Sequence, residues 1–228
     1  MGIAPRSDGL RAVFLDAMGT LVRLRPPVPL LTEALATAGH PNRPGRVAEA
    51  LHDEIVFYRA HSVQASTPEL LRTLRDECAR VLADGLEDAP PRDVLVDLLV
   101  GAIQIEPFPD VMPFLAHVRA RGLRAVVVSD WDCGLSDQLS RLGIRQWVDH
   151  VVVSADVGVT KPDPRIFHHA LEMIQVAPGD VLLCGDDPRR DMAGAAAVGV
   201  RCVLVDREQR YPDVAPRVSS LAELMGWI

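Results

Sequence analysis

Phe14-Leu15-Asp16-Ala17-Met18-Gly19-Thr20-Leu21 is the stretch of sequence that decides the fold. A short apolar run, Ala12–Leu15, ends at the carboxylate of Asp16, and a tight turn at Gly19-Thr20 follows at once. Parallel α/β sheets place their ligands and reacting groups beyond the carboxyl ends of the strands. The stretch therefore predicts a strand that presents Asp16 at the functional edge of a sheet.

Four further apolar runs are short, rich in Val or Leu and bounded by turn residues, which is typical of strands covered on both faces. They are Ala125–Ser129, His150–Val153, Val181–Cys184 and Arg201–Val205. Segments with helical spacing lie between them, namely Pro113–Arg121, Leu135–Leu142, Pro164–Ile174 and Asp191–Val198. This alternation of strands and helices predicts an α/β fold with a doubly wound parallel sheet.

The alternation is interrupted between about Leu24 and Phe108, where we find no convincing strand. Helical spacing of apolar residues recurs there in Leu30–Ala38, Val47–Ala60, Pro68–Ala83 and Arg92–Ile103. Proline clusters at Pro26–Pro29 and Pro107–Pro109 predict linkers into and out of an inserted helical subdomain. We expect a core of residues 1–23 and 109–228 and a helical cap of residues 24–108. A cap in that position could exclude water and shape a substrate pocket.

Composition narrows the class of protein and its partners. The 228 residues are 48% hydrophobic and 24% charged, as in a soluble globular protein with a sizeable core. The formal net charge of −7 argues against nucleic acid or an anionic membrane surface as the main partner. No apolar run approaches the roughly 20 residues of a membrane span. Because Met1–Arg6 has no apolar signal core and the four cysteines form no C-x-x-C pair, we expect a reducing cytoplasm.

Polar groups follow four of the predicted strands and should meet at one edge of the sheet. They are Asp16, then Ser129-Asp130, then Lys161, and then Gly185-Asp186-Asp187 with Asp191 further on. A carboxylate can act as a nucleophile, and a hydroxyl and backbone amides can hold oxyanion atoms. A lysine supplies positive charge to an anionic substrate. Clustered carboxylates require a hard cation, for which Mg²⁺ is the best candidate.

In their order along the chain these motifs closely resemble those of the haloacid dehalogenase-like hydrolase superfamily. The matching pieces are Asp16-Ala17-Met18-Gly19-Thr20-Leu21, Val126-Val127-Val128-Ser129-Asp130, Lys161-Pro162-Asp163-Pro164-Arg165-Ile166-Phe167 and Gly185-Asp186-Asp187-Pro188-Arg189-Arg190-Asp191. The resemblance runs on through Gly194-Ala195 to Gly199. It implies a Rossmann-like core with an α-helical cap inserted after the first strand, and a hydrolase that acts on a small phosphorylated substrate.

The resemblance also implies a role for each matching residue. Asp16 would be the nucleophile, and Lys161 would neutralise charge on the nucleophile and the substrate. Ser129, with Asp130 and the turn at Gly19 and Thr20, would bind the substrate. Mg²⁺ would be held by Asp16, the carbonyl of Met18 and Asp186, while Asp187 and Asp191 would hold the metal site or Lys161 in place.

Met18 departs from the family pattern, because the phosphatases normally carry a second aspartate there. That aspartate protonates the leaving group and then activates water, and methionine has no proton to exchange. General acid–base catalysis is worth roughly 10²–10⁴-fold in rate. We therefore expect a Mg²⁺-dependent phosphohydrolase that favours good leaving groups, such as acyl or aryl phosphates. Asp130, where the family more often has asparagine, either substitutes as the acid or turns away from the substrate.

Two alternatives stay open from the sequence. Metal-independent 2-haloacid dehalogenases also lack the second aspartate, since halide needs no proton, but their usual residues differ from Met18, Asp130 and Phe167, and their last motif is not Gly185-Asp186-Asp187. A non-catalytic member that binds a phosphorylated ligand or a partner protein is the other alternative. The sequence is compatible with a monomer or with a homodimer formed through the cap, and it does not reveal the natural substrate.

Overall fold

The structure, a computed structural model, describes residues 9–228, so Met1–Arg6 and its missing signal core lie outside the described residues. The chain forms two compact units. One consists of the residues up to Arg23 together with Pro107–Ile228, and the other is Leu24–Glu106. Among the described residues, no helix combines the length and the apolar character needed to span a membrane.

In the part of the chain that the structure describes, six parallel strands form the sheet of the first unit. The strands of the chain are β1 Ala12–Leu15, β2 Val22–Leu24, β3 Ile105–Pro107, β4 Arg124–Ser129, β5 His150–Val153, β6 Val181–Gly185, β7 Arg201–Val205 and β8 Arg217–Val218. The sheet has the order β5-β4-β1-β6-β7-β8, and every neighbouring pair is parallel. From β1 the chain adds β4 and β5 on one side. It then crosses back and adds β6, β7 and β8 on the other side of β1. The carboxyl end of β1 thus lies where the strand order reverses, the usual ligand position of such sheets.

Ten α-helices accompany the strands within residues 9–228. They are α1 Pro27–Thr37, α2 Pro44–His61, α3 Pro68–Gly85, α4 Arg92–Ala102, α5 Val111–Ala120, α6 Leu135–Arg141, α7 Ser154–Val157, α8 Pro164–Ile174, α9 Ala193–Ala197 and α10 Leu221–Leu224. In the first unit Phe14 and Val126 of the sheet pack with Ile166 and Phe167 of α8 and Ala195 of α9 in one buried cluster. α5 packs against β4 and α10. The strands are covered, so their apolar runs do not alternate with polar residues.

The second unit is built from α1 to α4, with α2 on α3, α3 on α4, and α1 on both α2 and α4. Each helix buries a stripe of apolar side chains, among them Leu35, Leu51, Leu82 and Leu95. The helical spacing of apolar residues in the sequence reflects these buried stripes. Where Gly85 meets α2, a Cβ on the glycine would lie 2.6 Å from the Cβ of Ala50, so the two segments touch directly.

The predicted α/β fold with a parallel sheet is confirmed, and each of the five predicted strands is present. The prediction of no strand in residues 24–108 is wrong at both ends, because β2 and β3 pair there as a separate two-stranded sheet. Strands of three residues are too short to show a period in the sequence. The linker predicted at Pro26–Pro29 is also wrong, since α1 begins at Pro27. Proline is tolerated in the first turn of a helix because no hydrogen bond is lost there.

Candidate active site

Asp16 is the first residue after β1, and its backbone N–H donates to the carbonyl of Cys184 at 2.9 Å. Its carboxylate is buried. Ser129 at the end of β4 donates its hydroxyl to Oδ1 of Asp16 at 3.3 Å, and Nζ of Lys161 donates to the same oxygen at 2.6 Å. Both contacts hold Oδ1. The carboxylate is therefore fixed through one oxygen, and Oδ2 takes part in neither contact.

Lys161 is held at Asp16 by contacts on every side of its ammonium group. Nζ also donates to Oδ1 of Asp191 at 2.6 Å and to the carbonyl of Val128 at 3.2 Å, so three acceptors match its three hydrogens. Burial alone would lower the pKa of the Lys161 ammonium, but the carboxylates of Asp16 and Asp191 raise it above its ordinary value. Lys161 is thus a permanent positive charge beside Asp16.

The electrostatics of Asp16 favour a further cation at the site. The pKa of Asp16 is raised to about 7, mainly by burial and also by the carboxylates of Asp191 and Asp186, against the opposing effect of Lys161. The positive charge of Lys161 does not offset burial together with the two neighbouring carboxylates. A cation bound among them would favour the ionised form of Asp16, which is the form that can act as a nucleophile.

The residues present fit a hard divalent cation. Asp16, Asp186 and Asp191 each offer a carboxylate oxygen, and the three oxygens lie within 4.8 Å of one another. Carboxylate oxygens are the ligands that Mg²⁺ takes in proteins, usually together with water. Asp186 follows β6, and the loop after β1 approaches it so closely that a Cβ on Gly19 would lie 2.2 Å from Oδ2 of Asp186. Because Gly19 has no side chain, the carboxylate of Asp186 has room at this position.

The structure separates the roles of Asp187 and Asp191, which the sequence could not distinguish. The carboxylate of Asp191 accepts from Lys161 at Oδ1 and from the backbone N–H of Asp187 at Oδ2, the latter at 3.0 Å. The carboxylate of Asp187 instead accepts from the N–H groups of Arg189 and Arg190 and caps the π-helical turn Pro188–Met192. Asp191 therefore orients Lys161, and Asp187 acts through its backbone on Asp191.

Asp130 is fully engaged in the structure. Its Oδ1 accepts from the backbone N–H of Lys161 at 2.8 Å, and its Oδ2 accepts from Nη1 of Arg190 at 2.8 Å. Burial raises the pKa of Asp130, and Lys161 and Arg190 oppose that shift. The side chain thus fixes the backbone at Lys161, which favours the turned-away alternative over the role of a substitute acid.

The loop after β1 brings Met18, Gly19 and Thr20 together beside Asp16. Met18 is half-buried and forms a β-bridge with Val22, and the N–H of Gly19 donates to the carbonyl of Val22 at 2.8 Å. Gly19 has a φ of +85°, a left-handed conformation that glycine adopts readily. Among the described residues, Oγ1 of Thr20 is buried without a hydrogen-bond partner.

Arg207, two residues after β7, clamps this loop and was missed by sequence reasoning. Its guanidinium donates to the carbonyl oxygens of Gly19 and Thr20 at 3.2 and 2.7 Å. It also makes a bidentate pair with Asp110, both contacts at 3.0 Å, and lies 3.8 Å from the ring centroid of Phe108. Planar, bidentate recognition of this kind suits arginine and not lysine. Arg207 therefore fixes the backbone of the loop that carries Met18.

Two more arginines at the site were missed, Arg190 on Asp130 and Arg210 on Asp186. A signal was available for Arg207 and Arg210, because both follow a predicted strand, Arg201–Val205, at its carboxyl end. Asp16 was selected because polar groups at the carboxyl ends of parallel strands meet at one edge of the sheet, and the same reasoning selects the segment of Arg207 and Arg210.

The close approach of Gly19 to Asp186 predicts a measurable loss of stability in Gly19→Ala. Gly122 is the matched control, because its φ is +70° and no atom lies within 4 Å of its added Cβ. We expect Gly122→Ala to lower the free energy of unfolding by about 1–2 kcal/mol for the left-handed backbone alone. Gly19→Ala should lose about 1–3 kcal/mol more through overlap with Asp186. Urea unfolding measures both, and equal losses would contradict the packing described.

Comparison with known proteins places this geometry in a family. The model of the family described as haloacid dehalogenase-like hydrolase matches residues 10–199. The chain is 33% identical over 210 residues to haloacid dehalogenase-like hydrolase domain-containing protein 3 of Mus musculus, covering 86% of this chain and 82% of the relative. It is 38% identical over 122 residues to phosphoserine phosphatase of Thermus thermophilus, covering 51% of this chain and 49% of the relative.

Solved structures agree on the fold. The structure of the HAD-hydrolase YfnB from Bacillus subtilis, bound to magnesium, aligns with a TM-score of 0.70 and 16% identity, covering 97% of this chain and 98% of that one. At that identity the likeness shows the fold alone. The chain spans about half or less of the length of the first curated relatives that it matches.

Proposed function

Since the chain belongs to the haloacid dehalogenase-like hydrolase family, we propose that it is a Mg²⁺-dependent phosphohydrolase with Asp16 as nucleophile. The observation that carries the proposal is the grouping of Asp16, Lys161, Asp186 and Asp191 at the carboxyl edge of the sheet. The phosphatase names of relatives, such as phosphoserine phosphatase, support a phosphorylated small molecule as substrate.

The reaction begins at Oδ2 of Asp16, because Ser129 and Lys161 hold Oδ1. Oδ2 attacks the phosphorus atom, an O–P bond forms, and the leaving oxygen departs with the electron pair of the broken P–O bond. Lys161 and the hydroxyl of Ser129 then stabilise the negative charge of the transferring group. In the second half of the reaction water attacks the phosphorus atom, the bond between phosphorus and Oδ2 breaks, and the proton of the water passes to the released phosphate or to solvent. Inorganic phosphate leaves and the carboxylate of Asp16 is restored.

Mg²⁺ would be held by Asp16, Asp186 and the carbonyl of Met18, and it would supply charge stabilisation to the phosphoryl oxygens. Asp191 keeps Lys161 aimed at Asp16, and Asp187 keeps Asp191 in place. These contacts of Asp191 and Asp187 form without the cation. The chain's own residues thus position the nucleophile and its lysine in advance.

The leaving group receives no proton from Met18, and Asp130 is committed to Lys161 and Arg190. The departing oxygen must therefore carry its charge into solvent. Leaving groups of low pKa, such as phenolates or carboxylates, tolerate this, whereas alkoxides do not. We infer that the substrate is an acyl or aryl phosphate, or another phosphate with an acidic leaving group.

A metal-independent dehalogenase is the second candidate, because Met18 is equally compatible with a halide that leaves without a proton. The three clustered carboxylates weigh against it, since a site that uses no cation gains nothing from placing Asp186 near Asp16.

Phosphate release from acetyl phosphate and p-nitrophenyl phosphate, with Mg²⁺ or with EDTA, tests the proposal. We expect Mg²⁺ to raise the rate at least about 100-fold, the scale of charge stabilisation by a metal in phosphoryl transfer. Chloride release from 2-chloropropionate should be undetectable. Chloride release that persists in EDTA would favour the dehalogenase, and no turnover of any of these compounds would favour a binding protein.

A further inference from the structure

Arg210 occupies the same carboxylate that the proposed function assigns to the metal. Its Nη2 donates to Oδ2 of Asp186 at 3.1 Å, and the two side chains form an ion pair. Asp186 is 22% exposed and Arg210 is 49% exposed. The pair therefore lies at the open side of the carboxylate cluster, where the guanidinium can exchange with solvent.

The local fold prepares Arg210 for this contact. Asp206, buried directly after β7, accepts from the backbone N–H groups of Arg210 and Tyr211 at 2.8 and 2.9 Å. Gln209 has a φ of +56°, which is left-handed and costs energy in a residue with a side chain. A buried anchor and a strained residue thus fix the backbone from which the Arg210 side chain reaches Asp186. Glu208, 3.6 Å from Nε of Arg210, offers a second carboxylate in solvent.

A guanidinium and a divalent cation compete for one carboxylate. Both are positive, and their repulsion at contact distances is large even when water screens it. We propose that Arg210 is an internal counter-ion of Asp186, that Mg²⁺ must displace it, and that Arg210 thereby sets the metal affinity of the site. This inference rests on the proposed function, because it takes Asp186 as a metal ligand. Once displaced, Arg210 can pair with Glu208, so its release leaves no buried charge unpaired.

Calorimetric titration of the substrate-free protein with MgCl₂ tests the inference without relying on turnover. Wild type is compared with Arg210→Gln, Arg189→Gln and Asp186→Asn. Arg189 is the control for net charge, since it is an exposed arginine three residues after Asp186. We expect Arg210→Gln to bind Mg²⁺ at least about tenfold more tightly than wild type. Arg189→Gln should stay within about twofold, because exposed charges out of contact are screened. Thermal unfolding without Mg²⁺ verifies that each variant is folded.

The outcomes separate this inference from the proposed function. Tighter binding in Arg210→Gln alone, abolished by Asp186→Asn, supports both. Binding that Asp186→Asn abolishes but Arg210→Gln leaves unchanged or weakens overturns the role of Arg210 and leaves the metal site intact. An equal gain in Mg²⁺ affinity in Arg189→Gln would show that the gain comes from net charge alone, and it would also overturn the role of Arg210. The absence of Mg²⁺ binding in both wild type and Arg210→Gln would overturn the proposed function itself.

Discussion

Replacing Asp16 by asparagine should abolish phosphate release, with a loss of about 10⁴-fold or more in kcat/KM, the scale seen when a covalent nucleophile is removed. The amide has nearly the shape of the carboxylate but cannot attack phosphorus. The variant should fold, because Lys161 keeps Asp191 as a counter-ion at 2.6 Å. Steady-state phosphate release with p-nitrophenyl phosphate measures the loss.

Two measurements make this result specific to the nucleophile. Asp137→Asn makes the same substitution at an exposed position on α6 and should retain full activity. Rapid acid quench with radiolabelled acetyl phosphate should trap phosphoprotein in wild type and none in Asp16→Asn. Phosphoprotein in the variant, or activity within tenfold of wild type, would assign the nucleophile to another residue.

Replacing Met18 by aspartate should give the largest gain. A carboxyl group two residues after the nucleophile could protonate the leaving oxygen, an effect worth about 10²–10⁴-fold. The gain should appear on alkyl phosphates, whose alkoxides leave poorly, and should be small on p-nitrophenyl phosphate, whose phenolate needs no proton. Aspartate is shorter than methionine, and Met18 is only half-buried, so the loop can accept it. The ratio of the two kcat/KM values measures the effect.

Met18→Asn is the matched control, because it has the size of aspartate without the proton. We expect no gain with Met18→Asn on either substrate. Equal gains for both variants would indicate relief of a steric effect. No gain with Met18→Asp on alkyl phosphates would mean that another group already supplies the proton.

The sequence was sufficient for five of the six strands in the described sheet, all but β8, and for bringing Asp16, Ser129, Lys161 and Asp186 to one edge. Each is a local signal, a buried apolar run followed directly by a polar group, and parallel pairing brings such ends together. The structure places Ser129 and Lys161 in contact with Asp16 and brings Asp186 close to it. Their chemical roles remain predictions that the experiments above test.

The position of Arg207 and Arg210 after a predicted strand selects the segment that carries them, but it does not identify the groups that the arginines contact. Arg207 meets the carbonyl of Gly19 across 188 positions, and Arg190 meets Asp130 across 60. In sequence they look like ordinary surface arginines, which pair with whatever the tertiary fold brings near them. The different contacts of Asp187 and Asp191 could not be predicted either, since they follow from a π-helical turn of five residues.

The most direct test of an unassisted phosphoryl transfer at Asp16 is the dependence of kcat/KM on leaving-group pKa. A series of substituted phenyl phosphates of similar size, measured with saturating Mg²⁺, gives the slope. Without protonation, negative charge accumulates on the leaving oxygen in the transition state, so log kcat/KM should fall steeply as the pKa of the phenol rises. A slope near zero would show that a residue protonates the leaving group. It would contradict the conclusion that, with Met18 in place of an aspartate, the leaving group departs without a proton.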